Sequence, residues 1–220
     1  MLWIEGLSQR VGKAGSVTAF DVDWERVEAT REALPDADLP GPVRLAVGSV
    51  FEPPFERADF DLVYSAGLFH ELDISRISAE EALRALAGAV RPGGRLATDD
   101  FVDTVDAAQL EDEALDAELA RVSTGAELFG IGSPGRLVGL HEKVVIDVRW
   151  SVAPPYGIRH LGKVLLAEEA PEAFASLPRE IACRLRGRHA ALQERIRRRG
   201  YTRPATIFVE GRVRGGRASG

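Results

Sequence analysis

Through the first hundred residues, short apolar and β-branched runs alternate with segments whose apolar residues recur every three or four positions. That is the pattern of parallel βαβ units. Ser16-Val-Thr-Ala-Phe20 is the first run, following Gly12 and Gly15 and leading into Asp21-Val-Asp23. A helix is predicted from about Trp24 to Leu34, with Val27, Ala29 and Ala33 on it and Pro35 past its end. Val43-Arg-Leu-Ala-Val47, entered through Pro40-Gly-Pro42, and Phe60-Asp-Leu-Val-Tyr64 are the next two strands. A helix over about Ala79–Val90 carries Ala82, Leu83, Leu86 and Val90 at helical spacing. Arg91-Pro-Gly-Gly94 predicts a turn, and Arg95-Leu-Ala-Thr98 opens a fourth strand.

After Asp100 the texture changes. Residues 104–121 read as an acidic helix, and the loop Gly130–Gly135 leads to a short helix near 136–142. Lys143 to Trp150 alternates as a strand does. Two helical stretches follow, at about 158–169 and 178–199, and Thr206-Ile-Phe-Val-Glu210 is a last strand. The tail, Gly211–Gly220, is rich in glycine and arginine and is expected to fray.

Composition narrows the class. The 220 residues are 45% hydrophobic and 28% charged, a globular balance that excludes a disordered or fibrous chain. One cysteine, Cys183, excludes an intramolecular disulfide and a cysteine-rich zinc site, and fits a reducing compartment. No apolar run approaches the ~20 residues of a membrane span, and no secretory signal pattern opens the chain. A cytoplasmic protein is therefore expected. The net charge of −6 speaks against nucleic acid as the main partner. The charge is uneven, because residues 178–199 hold eight arginines against two glutamates. Ile181, Leu185, Leu192 and Ile196 form one stripe there, so an amphipathic helix is expected, its basic face pairing with the acidic helix at 104–121.

Three segments together resemble class I S-adenosylmethionine-dependent methyltransferases. Val11-Gly-Lys-Ala-Gly-Ser-Val-Thr-Ala-Phe-Asp21 resembles the family's passage from first helix to an acidic strand end. Val47–Phe55 followed by Phe60–Leu72 resembles the third strand, its adenine-contacting loop and the fourth strand. Val90-Arg-Pro-Gly-Gly-Arg-Leu96 resembles the turn into the fifth strand. The resemblance implies an α/β fold: a Rossmann-like methyltransferase sheet, mostly parallel with an antiparallel edge pair. Residues 1–101 would be the cofactor-binding core, residues 102–210 the remaining strands with helical substrate or lid insertions, and 211–220 a tail. Met1–Arg10 already resembles the family's first helix, so the fold is expected to be N-terminally incomplete. The family's leading strand and glycine-rich turn are expected upstream of Met1.

The cofactor implied is S-adenosylmethionine, and the cofactor-binding residues implied are Asp21, Val22, Ser49, Val50, Ser65 and Ala66. Asp21 ends a strand, where a carboxylate can accept both ribose hydroxyls. Ser49 and Val50 fall where the family holds the adenine, although Ser49 also reads as an ordinary loop residue. Ser65 and Ala66, with Gly67, would let backbone approach the methionine part. His70, beside Glu71, is the candidate catalytic residue, as a base for the acceptor; pocket lining and a cap or packing role remain open. Asp99-Asp100 reads as a turn or cap rather than a metal site, and no metal is expected. His141, His160 and His189 are scattered. The expected reaction is methyl transfer to a small molecule. The rivals are a non-catalytic binding or scaffold protein of the same fold, and an enzyme using a nicotinamide dinucleotide. Oligomeric state is not set by the sequence.

Overall fold

The computed structural model describes residues 2–56, 58–103, 107–154, 172–202 and 204–214. They form two compact units, Met1–Arg57 and Ala58–Gly220. The helix expected at 158–169 and the end of the tail, 215–220, lie outside the described residues.

The first unit runs α1 (Leu2–Val11), β1 (Val17–Asp21), α2 (Trp24–Ala33) and β2 (Val43–Val47). The strands pair in parallel, Val17 opposite Val43 and Asp21 opposite Val47. α2 starts where it does because the Asp23 carboxylate accepts from the N–H groups of Glu25 (2.9 Å) and Arg26 (3.3 Å). Pro35 cannot continue the α-helical bonding, and Leu34–Asp36 tightens into a 3₁₀ turn. The core of this unit is small: Val17, Val27 and Val50 are buried.

The second unit contains β3 (Phe60–Ala66), α3 (Ala79–Ala89), β4 (Val90–Val102), α4 (Ala107–Thr124), α5 (Pro134–Val144), β5 (Ile146–Ala153), α6 (Arg179–Arg199) and β6 (Ala205–Arg212). Its sheet has the order β3-β4-β6-β5, with β3 and β4 parallel and the other two pairings antiparallel. Each unit thus holds one parallel pair, and the sheet of the second unit ends in the expected antiparallel pair at one edge. α3 begins in a reciprocal cap: the Ser78 hydroxyl accepts from Glu81 N–H, and the Glu81 carboxylate accepts from Ser78 N–H. Its apolar stripe, Ala82, Leu83 and Leu86, is fully buried, with α3 packed against β3, β4 and α5. β4 and β6 carry the centre of the core through Leu96, Val102, Ile207 and Val209.

Two expectations need correcting. Arg91–Gly94 is not a turn before the strand but a bulge inside β4. Phe60 pairs with Val90 and Leu62 with Arg95, so these four residues loop out against β3. Gly93 takes a positive φ of 81° there, and the Gly93 N–H donates to Val213 C=O (3.0 Å). Gly94 has to be glycine for space, because a Cβ would lie 2.8 Å from the Asp61 carbonyl oxygen on β3. Asp99 and Asp100, read as a turn or cap, lie within β4.

The predicted pairing of acidic and basic helices is present. Leu185, Leu192 and Ile196 of α6 cluster with Ala108 and Leu115 of α4, Phe174 and Tyr201. Around that cluster Arg188 bonds Glu111 (2.8 Å) and Glu118, and Arg184 bonds Glu118 (2.5 Å). Among the described residues no helix is long and apolar enough to cross a membrane.

Candidate active site

In the first unit the predicted residues gather at the carboxyl edge of the parallel pair. The C=O of Asp21 accepts from Gly48 N–H (2.9 Å), which ties the end of β1 to the loop after β2. Oδ1 of Asp21 accepts from Asp23 N–H (2.9 Å), so the carboxylate is held by the turn that caps α2. The Ser49 hydroxyl accepts from Phe51 N–H (3.2 Å), and Ser49 C=O accepts from Glu52 N–H (3.1 Å). Ser49 therefore closes its own loop. Of the two apolar candidates, Val22 is 71% exposed and Val50 is buried.

In the second unit β3 ends against β4, with Ala66 opposite Asp99, and β4 runs on to Val102. Gly67 follows with a φ of 62° and donates its N–H to Asp99 C=O (2.8 Å). That left-handed turn swings the chain back so that His70 Cε1 lies 3.5 Å from where a Cβ on Gly67 would stand. The imidazole is held from several sides. Its ring stacks obliquely on Phe101 (centroids 4.9 Å apart), and His70 C=O accepts from Gly130 N–H (3.1 Å).

The main anchor is Asp100, which is 2% exposed. Its carboxylate accepts from His70 Nδ1 (2.7 Å), from Phe101 N–H (2.7 Å) and from Phe69 N–H (2.6 Å). Because a carboxylate oxygen accepts, Nδ1 carries the hydrogen, and neutral His70 keeps its lone pair on Nε2. Glu71 Oε1 stands 3.6 Å from that nitrogen. Burial alone would lower the His70 pKa. The hydrogen bond and charge of Asp100, with Glu71 and Glu113, outweigh it and hold His70 above its usual value. Glu113 of α4 is pushed up to about 7, first by burial, against the pull of His70, and further by Asp116, Asp112 and Glu71. Tyr64 donates to Asp99 Oδ2 (3.1 Å), and burial together with that carboxylate raises its pKa.

Behind this edge runs a buried hydrogen-bonded chain. Ser65 Oγ lies 3.0 Å from Thr98 Oγ1, which lies 3.1 Å from His141 Nε2. His141 Nδ1 lies 2.9 Å from Leu137 C=O, so Nδ1 must donate and Nε2 must accept. Thr98 then donates to His141, and Ser65 donates to Thr98. Burial lowers the His141 pKa against the opposing effect of the Leu137 carbonyl, so this imidazole stays neutral. Ser65 is thus anchored by its side chain, while its main chain lies in the ladder with β4.

The structure brings Asp21, Val22, Ser49 and Val50 to one sheet edge, and Ser65, Ala66 and His70 to another. Reading the sequence missed Thr98 and Glu113, took Asp100 for a turn or cap, and treated His141 as scattered. The available signal was strand alternation through Thr98 and Asp100, which puts two polar residues at inward positions of β4. Among the described residues no three histidine, cysteine, aspartate or glutamate side chains converge as metal ligands.

Residues 2–94 match the model of a methyltransferase domain family. The chain is similar to a methyltransferase domain over that stretch. It is 32% identical over 101 residues to the ubiquinone/menaquinone biosynthesis C-methyltransferase UbiE of Idiomarina loihiensis, covering 46% of this chain and 38% of that protein. This chain therefore spans well under half the length of the curated relatives it matches. The fold is shared with the YcgJ protein of Bacillus subtilis (TM-score 0.56, 14% identity, 98% of this chain and 100% of that one). It is shared equally with a SAM-dependent methyltransferase of Methanosarcina mazei (TM-score 0.56, 12% identity, 90% and 82%). The residues present fit the nucleoside part of the family's cofactor. Asp21 offers a half-buried carboxylate to vicinal hydroxyls at a sheet edge, beside the exposed Val22.

Proposed function

We propose that this protein transfers a methyl group from S-adenosylmethionine to a small molecule. The observation that carries the reading is Asp21 at the carboxyl end of β1, inside the segment that matches the methyltransferase domain. When bound, S-adenosylmethionine supplies an electrophilic methyl group on a sulfonium centre, so the protein has mainly to align and desolvate the partners. Asp21 accepts from the ribose hydroxyls. Ser49, Val50 and Val22 serve the adenine. The main chain at Ser65 and Ala66 serves the methionine part, and His70 serves the acceptor. In this reading residues 1–101 are the cofactor side, and residues 102–210 admit and cover the acceptor, with 211–220 as a tail.

The acceptor class is argued from the chain's acidic balance and from the helices inserted after β4. The C-methyltransferase name of the UbiE relatives belongs to matches over less than half of this chain. The experiment has two arms. Calorimetric titration with S-adenosylhomocysteine and with NAD should show binding of the first and not the second. Methyl-labelled S-adenosylmethionine incubated with a cell extract should then place label in the small-molecule fraction. Binding of NAD alone would establish the dinucleotide rival, and binding of neither the scaffold rival. Label confined to protein or nucleic acid would refute a small-molecule acceptor.

A further inference from the structure

We propose that Asp100 is a positioning residue that makes His70 a base, and that the methyl acceptor therefore arrives carrying a proton on oxygen or nitrogen. The proposal rests on the methyltransferase reading above. Its geometry is independent of it. A buried carboxylate that takes one imidazole nitrogen and two backbone N–H groups has a fixed orientation. It fixes the imidazole in turn: Nδ1 is committed to Asp100, the ring lies on Phe101, and Gly67 leaves room for Cε1. Nε2 is what remains for a substrate, with Glu71 Oε1 3.6 Å away as its nearest charged neighbour.

A histidine that only lined a pocket or capped a helix would not need a buried carboxylate behind it. Burying that carboxylate is costly unless its partners are held. The groups facing the imidazole are Asp100 from β4, Glu71 beside it and Glu113 from α4, all acidic, and each favours the protonated ring. A base so placed is of no use to an acceptor that is already a bare anion. It serves a hydroxyl, or an amine that must give up a proton before its lone pair is free to attack. The acceptor's lone pair forms the new bond to the methyl carbon while sulfur keeps the electron pair of the broken bond. The acceptor's proton passes to His70 Nε2 and from there to water.

The test is imidazole titration by long-range ¹H–¹⁵N NMR on histidine-labelled protein, with His70 assigned through His70→Gln. Neutral His70 should be the Nδ1–H tautomer with a midpoint above the ordinary ~6.5. Asp100→Asn should lower that midpoint by about one unit or more, while His141 keeps its Nδ1–H signal as a sign that the fold persists. An Nε2–H tautomer, a midpoint at or below ~6.5, or a midpoint unmoved by Asp100→Asn overturns the proposal. If Asp100→Asn does not fold, the wild-type tautomer and midpoint decide. In the label-transfer assay the rate should fall on the acid side with the His70 midpoint. His70→Gln should lower turnover by about 10²-fold or more with S-adenosylhomocysteine affinity retained. Retained turnover refutes the base. Failure to bind S-adenosylhomocysteine removes the methyltransferase reading and the acceptor with it, while tautomer and midpoint still judge the Asp100–His70 pair.

Discussion

Replacing Thr98 by valine tests the buried chain that holds the end of β3. The shapes are nearly equal, so the change removes a hydroxyl and leaves no cavity. Thr98 and His141 are fully buried and Ser65 nearly so. The variant strands two groups, the Ser65 hydroxyl and His141 Nε2, each of which has Thr98 as its partner at 3.0–3.1 Å. A buried polar group left unpaired costs about 1–3 kcal/mol. Two of them, less a fraction regained by burying a methyl group, predict a loss of about 2–4 kcal/mol. That is a large part of a typical domain's stability. Trp150 of β5 is the tryptophan of the second unit and is half-exposed, as are Trp3 and Trp24 of the first. Urea unfolding read by Trp150 fluorescence, with Trp3→Phe and Trp24→Phe in the background, measures the loss. Introduced into Ser65→Ala, Thr98→Val should cost less, because one of the two stranded groups is then gone. A cost below about 0.5 kcal/mol, or an equal cost in both backgrounds, would refute the chain as described.

Glu113 has a folded pKa near 7, above the ordinary 4.5, so its contribution is fully present below 4.5 and is lost as pH rises through 7. Glu113→Gln should therefore gain on wild type across that window, by up to about 3 kcal/mol at pH 8, and a pH-independent difference in urea midpoints would contradict this. Asp21→Asn keeps an oxygen for Asp23 N–H but loses the charge. It should raise the calorimetric Kd for S-adenosylhomocysteine about 10–100-fold while leaving the thermal midpoint nearly unchanged. Arg188→Met breaks the ties to Glu111 and Glu118 with about a third of the side chain exposed. It should cost about 1–2 kcal/mol in low salt and less in 1 M NaCl, whereas a salt-independent loss would point to packing.

Much of the fold was legible in the chain because its determinants are close in sequence. The runs at Val43–Val47 and Phe60–Tyr64, the helical spacing of Ala82, Leu83 and Leu86 and the stripe Leu185, Leu192, Ile196 each need only neighbouring residues to be recognised. The pairing of α4 with α6 was legible too, because a surplus of glutamate and aspartate on one helix and of arginine on the other survives any detail of register. Asp21 could be found from its place at a strand end.

The geometry around His70 and Thr98 was not legible. Asp100 meets His70 across 30 residues, and Thr98 meets His141 across 43. Each contact depends on which way one residue of β4 faces and on which strand lies beside it. A shift of one residue would turn Asp100 to the opposite face. The bulge at Arg91–Gly94 shows the same dependence: the Pro-Gly-Gly signal is local, but only pairing with β3 and with Val213 decided that β4 would run on through it. The sequence by itself determined the elements, the charge complementarity and the strand-end carboxylate. The tertiary structure decided which polar side chains share the interior. Burial removes water as an alternative partner and leaves each such group dependent on a residue far away in the chain.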